Sequence, residues 1–258
     1  MRSTLAILGV LFAFNVYADH HTRINDTSEN NYAFRSGAPL TVETANGSIH
    51  VRSDGDDGQV HVTARTHVQA DSDEVARRTM VELKPRVSHD GGGLQLIVPE
   101  LRRNRDDELQ GGVSFEITIP RSAELSLNAT NGEIEVRDVR GAQTLRTTNG
   151  HITVERAGGS VDAETTNGSI RAELLDVTPG RALRFLTTNG SVTVTVPSNL
   201  GADVDASTTN GVIRSDFPIL TNRAEPRSLS GRINGGGQEL SAKTTNGSIT
   251  IRSAASRD

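Results

Sequence analysis

"TTNG" occupies residues 147–150 and returns at 165–168, 187–190, 208–211 and 244–247, with the variants "TANG" at 44–47 and "ATNG" at 129–132. Repetition of this kind is read before any single element, because a fixed period sets the architecture. The asparagines Asn131, Asn149, Asn167, Asn189, Asn210 and Asn246 are spaced by 18, 18, 22, 21 and 36 residues, so the last gap holds one long or degenerate repeat. Four residues before each Asn stand Leu127, Leu145, Ala163, Phe185, Ala206 and Ala242, and three after stand Ile134, Ile152, Ile170, Val192, Ile213 and Ile249. Two residues further on come Val136, Val154, Ala172, Val194, Ser215 and Ile251, alternating with Glu135, Thr153, Arg171, Thr193, Arg214 and Thr250. This is strand alternation with one face buried.

The buried positions are even offsets before the Asn and odd offsets after it, so the chain turns at every Asn-Gly. A two-residue hairpin favours Asn-Gly because both residues take positive φ. A solenoid corner, with Gly left-handed and Asn facing its copies on the rungs above and below, gives the same change of parity. The repeated Thr-Thr favours the second, since in-register rungs align identical side chains into ladders. The expected class is all-β, a β-solenoid with stacked rungs of about 18–22 residues preceded by a β-rich part with one short helix; an antiparallel hairpin meander is the alternative. Asn149→Ala or Asn167→Ala is then expected to cost ~1–3 kcal/mol per buried unsatisfied partner.

Gly141, Gly159, Gly180, Gly201 and Gly231 punctuate the far end of successive repeats, while "LLDVTPG" (174–180) and "DFPILTNRAEPRSLSG" (216–231) read as edge loops suited to ligand contact. Stacking would set Arg137 beside Glu155. The last repeat, "KTTNGSITIRS", would form an open end through which copies could assemble.

Ahead of the repeats, "LTVETANGSIHVRSDGDDGQVHVTARTHVQ" reads as three strands with a turn at Asp56-Asp57-Gly58. "DSDEVARRTMVELKPR" reads as a helix over 72–84, with Asp71 and Glu74 at capping-box spacing, Ala76, Met80 and Leu83 on one face, and Pro85 as the stop. Strands resume at "GLQLIVP" and "VSFEITIP", around a polar loop, "ELRRNRDDELQGG", expected to be mobile.

The order of "NGSIHV", helix, "VSFEITIPRSAELSLNATNGEIEV" and repeated "TTNG" over residues 37–253 resembles the bacterial β-strand-repeat family of unknown function labelled "putative adhesin". The resemblance implies an exported or envelope-associated β-solenoid with a binding or scaffolding role. It supplies no catalytic residues.

The stretch "MRSTLAILGVLFAFNVYA" has Arg2 before an apolar run from Leu5 to Val16, and Val16 and Ala18 at the small positions read by a signal peptidase. About a dozen apolar residues are too few for the roughly 20 that cross a bilayer. The expected segments are a signal peptide (1–18), a flexible N-terminal segment (19–36), a β-rich part (37–122) and the repeats (123–254). The mature chain is expected to have no transmembrane span and to be periplasmic or secreted.

No Cys is present, so neither disulfides nor a lipidated N-terminal Cys supports the chain. A net charge of −5 with interspersed signs excludes a nucleic-acid surface. With 3% aromatics and no Trp, the core must be Val, Ile, Leu, Ala and Thr, and platforms for sugar stacking are few. The chain holds no serine-hydrolase elbow, HExxH helix, phosphate loop or dinucleotide fingerprint. Asp106-Asp107-Glu108 sit among Arg102, Arg103 and Arg105 as a solvated charge run. "SDGDDG" (53–58) has Arg65 where a calcium loop needs a bidentate Glu, and His50, His61 and His67 read as a solvated sheet face.

The expected function is therefore a noncatalytic envelope binding or scaffolding module without a cofactor, its partner an envelope protein or glycan. A polysaccharide-acting enzyme and a self-associating structural protein are the alternatives. One metal site is expected on processing: a chain beginning Asp19-His20-His21 offers its amine, two amides and the His21 imidazole as four nitrogens for Cu(II) or Ni(II). Titration of signal-cleaved protein with Cu(II) should show one equivalent bound, lost in His21→Ala; equal binding by the variant would refute the site.

Overall fold

The computed structural model describes residues 22–55, 58–101, 109–178 and 180–254. In chain order these form β1 (Thr22–Ala33), β2 (Pro39–Asn46), β3 (Ile49–Gly55), β4 (Gln59–Ala70), helix α1 (Asp73–Glu82), β5 (Arg86–Asp90), β6 (Gly93–Ile97) and β7 (Gln110–Pro120). The repeats follow as β8 (Glu124–Asn131), β9 (Ile134–Arg137), β10 (Gln143–Asn149), β11 (Ile152–Ala157), β12 (Val161–Asn167), β13 (Ile170–Leu174), β14 (Leu183–Asn189) and β15 (Val192–Val196). The chain continues through β16 (Ala202–Asn210), β17 (Ile213–Ser215), β18 (Leu220–Glu225), β19 (Ser228–Ile233), β20 (Gln238–Asn246) and β21 (Ile249–Ser253).

Two mixed sheets result. One runs β1-β4-β7-β3-β9-β11-β13-β15-β21-β17 and the other β18-β19-β16-β20-β14-β12-β10-β8-β2-β6-β5. The strands on either side of each Asn-Gly therefore lie in different sheets, and each pairs in parallel with its counterpart from another repeat, as in Asn149↔Asn167 and Ile152↔Ile170. A hairpin meander would pair the two flanking strands with each other, so that alternative is overturned.

Each residue of the corner has its own reason. The first Thr is buried, and its hydroxyl donates to the glycine carbonyl of the neighbouring rung: Thr147 to Gly132, Thr165 to Gly150, Thr187 to Gly168, Thr244 to Gly190 and Thr208 to Gly247, at 2.8–2.9 Å. The Asn amides bond along the stack at 2.7–2.8 Å, in the spatial order Asn46, Asn131, Asn149, Asn167, Asn189, Asn246, Asn210. Glycine is required by proximity: a Cβ on Gly150 would lie 2.0 Å from the Gly132 oxygen, and one on Gly168 1.9 Å from that of Gly150. Left-handed backbone is not the reason, because only Gly47 among the corner glycines has positive φ (136°).

The core lies between the sheets. Leu127, Leu145, Ala163, Phe185, Ala242 and Ala206 form one fully buried column and Ile134, Ile152, Ile170, Val192 and Ile249 another, while Ile213 on the last rung is half-buried. Each large aliphatic side chain withdrawn from water contributes about 1.5–3 kcal/mol. At the N-terminal end α1 closes the core with Ala76 and Thr79, joined by its C-cap residue Leu83.

Several expectations need correction. Residues 22–33, in the segment expected to be flexible, form β1 and pair with β4 from Thr22↔Ala70 to Ala33↔Gln59. Both sheets cross the 122/123 boundary, since β2 and β3 pair in register with β8 and β9, and Asn46 joins the ladder. The helix cap is Ser72, whose hydroxyl accepts from the Val75 amide, one residue beyond the expected Asp71. Residues 216–231 are no simple loop: β18 and β19 pair antiparallel and extend one sheet, with Gly231 inside β19. The last repeat is not an open end, because β20 and β21 lie between β14/β15 and β16/β17. The mobile loop falls largely on 102–108, outside the described residues.

The ladder asparagines from Asn131 onward are exposed, so water satisfies a vacated amide and the cost of Asn167→Ala falls to about 1 kcal/mol. Gly168→Ala must push rungs apart and should cost about 3 kcal/mol. Ala129, in register between Thr44 and Thr147, lacks the hydroxyl that its neighbours carry. Ala129→Thr should gain about 1 kcal/mol and raise Tm by about 3 °C. Thermal melts check all three; equal melting of Gly168→Ala and the parent would refute the steric account.

Candidate functional site

The corner presents a polar strip to solvent. Thr130, Thr148, Thr166, Thr188, Thr245 and Thr209 are exposed beside the exposed asparagines, with neighbouring rungs about 4.8 Å apart. Parallel register makes the strip regular, since β10, β12 and β14 align Thr147, Thr165 and Thr187 as well as the asparagines. A second line of hydrogen bonds flanks it: the amides of Ser169, Ser191 and Ser248 donate to His151 Nδ1, Ser169 Oγ and Ser191 Oγ at 2.9–3.3 Å. The result is a regular array in which the amides are held by their ladder bonds and the Thr hydroxyls stand exposed beside them.

A second feature is a cleft of about 480 Å³ on the outer face of the other sheet, lined by His50, Arg52, His61, Glu116, Thr118 and Arg137 among others. It forms where β7 enters between β4 and β3, which also separates the strand of His50 from that of His61 and His67. His50 Nε2 meets Glu133 Oε1 at 3.0 Å, Arg52 Nε donates to Thr118 Oγ1 at 3.2 Å, and Arg65 pairs with Glu116. Arg137 pairs with Glu135 and, at 3.1 Å, with Glu155, the neighbour expected from stacking. Exposed pairs of this kind contribute little to stability, and they leave the cleft lined with solvated charges of both signs.

Asp138 and Arg156, each seven residues after its Asn on adjacent rungs, both have positive φ (60° and 49°) without being glycine. Arg156 Nε donates to Asp138 Oδ1 at 2.9 Å. That bond holds the Asp138 carboxyl below the usual carboxylate range and raises the Arg156 guanidinium. The pair marks a break in register after Val154.

Asp19, His20 and His21 lie outside the described residues. Among the described residues, no group of three His, Cys, Asp or Glu side chains is placed to hold a metal ion, and no helix is long and apolar enough to cross a membrane. The strip was legible from the repeat; the cleft was not, because nothing local to β3, β4 or β7 announces their order.

The model of the Toastrack DUF4097 family matches residues 40–252. No curated protein matches the chain. Among solved structures, it is similar to a "putative cell adhesion protein" from Clostridium sporogenes ATCC 15579, with 13% identity over 89% of this chain and 100% of that one and a TM-score of 0.44. It is similar also to a "putative adhesin" from Bacteroides fragilis NCTC 9343, with 11% identity over 89% and 97% of the two chains and a TM-score of 0.35. A third, a "putative adhesin" from Parabacteroides merdae ATCC 43184, is 10% identical over 87% and 95%, with a TM-score of 0.30. Matched from the first corner strand to the last, the chain belongs to the Toastrack DUF4097 family.

Proposed function

We propose that this chain is an exported, noncatalytic binding or scaffolding module of the bacterial envelope, built as a β-solenoid, and that its corner strip binds an extended envelope glycan. The observation that carries the reading is the register of the exposed Thr and Asn side chains over successive rungs. Amides already fixed by the ladder lose little conformational entropy on binding, and hydroxyl and amide groups repeated along a line complement a polymer that repeats hydroxyl and acetamido groups. The small number of aromatic residues is offset by multiplicity, because weak contacts at several rungs act together. The signal-like N-terminal stretch supports export, and unbroken parallel pairing through the repeats supports the solenoid.

Thr148→Val with Thr188→Val removes two hydroxyls from the strip at constant shape and charge, without touching the buried Thr column. Cosedimentation with purified peptidoglycan sacculi should show the parent in the pellet and the double variant binding about tenfold more weakly, a loss of about 1.4 kcal/mol, with unchanged melting. Equal binding by the variant, or capture of the parent only by envelope proteins, would overturn the glycan reading.

A further inference from the structure

The sixth rung in space is the seventh in sequence. β16 and β17 come before β20 and β21 in the chain, yet β20/β21 lies between them and β14/β15. The later rung thus fills a slot with a wall on each side. On one wall Thr244 Oγ1 donates to the Gly190 carbonyl and Asn246 Nδ2 to Asn189 Oδ1, each at 2.8 Å. On the other, Thr208 Oγ1 donates to Gly247 and Asn210 Nδ2 to Asn246 Oδ1, again at 2.8 Å. Leu240, Ala242, Ile249 and Ile251 are fully buried between them.

The slot holds this segment through backbone and repeat chemistry, so the same segment from any copy of the chain makes identical contacts. The approach to the rung is a glycine-rich turn held by Asn234 Nδ2, which donates to the Ser198 and Leu200 carbonyls at 2.9 Å, so exchange must break these bonds. Asn234, Gly235, Gly236 and Gly237 have φ of 48°, 88°, 88° and 153°, four successive positive values, and three of the four are glycines that visit other conformations freely. A cleft of about 440 Å³ opens beside this hinge, lined by Leu200, Gly201, Gly237 and Gln238 among others. Gln238, the first residue of β20, is buried with its Nε2 unpartnered among the described residues. Opening the hinge would release that amide to water.

We propose that residues 238–253 form an exchangeable rung, and that a second copy of this chain supplies it to the slot between β14/β15 and β16/β17, giving a reciprocally swapped dimer. Because the contacts in the slot are the same in monomer and dimer, the balance is set by the hinge and by protein concentration. Strain introduced into the closed hinge by substitution would shift that balance toward exchange.

The test uses Thr193 and Thr250, partners in register on β15 and β21, in a chain with no native thiol. Thr193→Cys protein and tagged Thr250→Cys protein are unfolded and refolded together, the dimer is isolated by size exclusion, and a short thiol crosslinker is added. Thr193→Cys should crosslink to Thr250→Cys far more than either does to itself. Gly235→Ala with Gly236→Ala strains the closed hinge and should raise the dimer fraction about tenfold, the equivalent of about 1.4 kcal/mol. Native circular dichroism of each single-Cys variant guards against misfolding. Crosslinks no more frequent between the two variants than within one, or a dimer fraction unmoved by the hinge substitutions, would overturn the proposal.

Discussion

The closeness of one backbone to the next at the corner governs this molecule. Each glycine carbonyl points at the α-carbon of the following rung's glycine, leaving no room for even a methyl group. That approach permits three bonds per step: the Gly N–H to the Asn carbonyl on the next rung, the next rung's Thr hydroxyl to the Gly carbonyl, and amide to amide. Because the corner is common to all repeats, it holds both sheets in one register. Loops of unequal length on the far side can therefore vary without disturbing the stack.

The ends of the stack need a different solution, since parallel sheets expose edges that invite further pairing. At the N-terminal end the chain abandons the repeat: antiparallel β4 and β1 extend one sheet and β5 the other, while α1 covers the core between them. Tyr32 on β1 and His89 on β5 approach with ring centroids 5.5 Å apart, so the two sheets meet there. At the other end the antiparallel pair β18–β19 extends only one sheet, and the Pro226 carbonyl accepts the Ile213 amide of the short strand β17.

Most of the repeat region could be read from residue identity, because Leu145, Ile152 and Val154 carry period-two burial and Thr147 and Asn149 recur beside them. What could not be read follows from the same regularity. "TTNG" at 208–211 and at 244–247 are identical, so local sequence does not say which stacks on Asn189; the links between elements decide it. β1 escaped notice because its sequence, "TRINDTSENNYA", is polar on both faces, as suits an edge strand with little to bury. β18 and β19 are flanked by Pro218 and Pro226, which mark turns more strongly than their few apolar residues mark strands. The cleft near His50 depends on β7 lying between β4 and β3, a long-range pairing without local signature.

The asparagine ladder has a direction. Every amide donates toward the N-terminal end, where Asn46 Nδ2 finds the Gly111 carbonyl at 3.2 Å, and the series finishes at Asn210 with an acceptor oxygen facing outward along the stack. Aligned amide dipoles polarise one another, so the row acts as a side-chain counterpart of the helix macrodipole, running parallel to the long axis. Its two ends are electrically unlike. The Gly111 carbonyl already closes the donor end, so the row cannot extend in that direction, and its unspent polarity faces the Asn210 end alone.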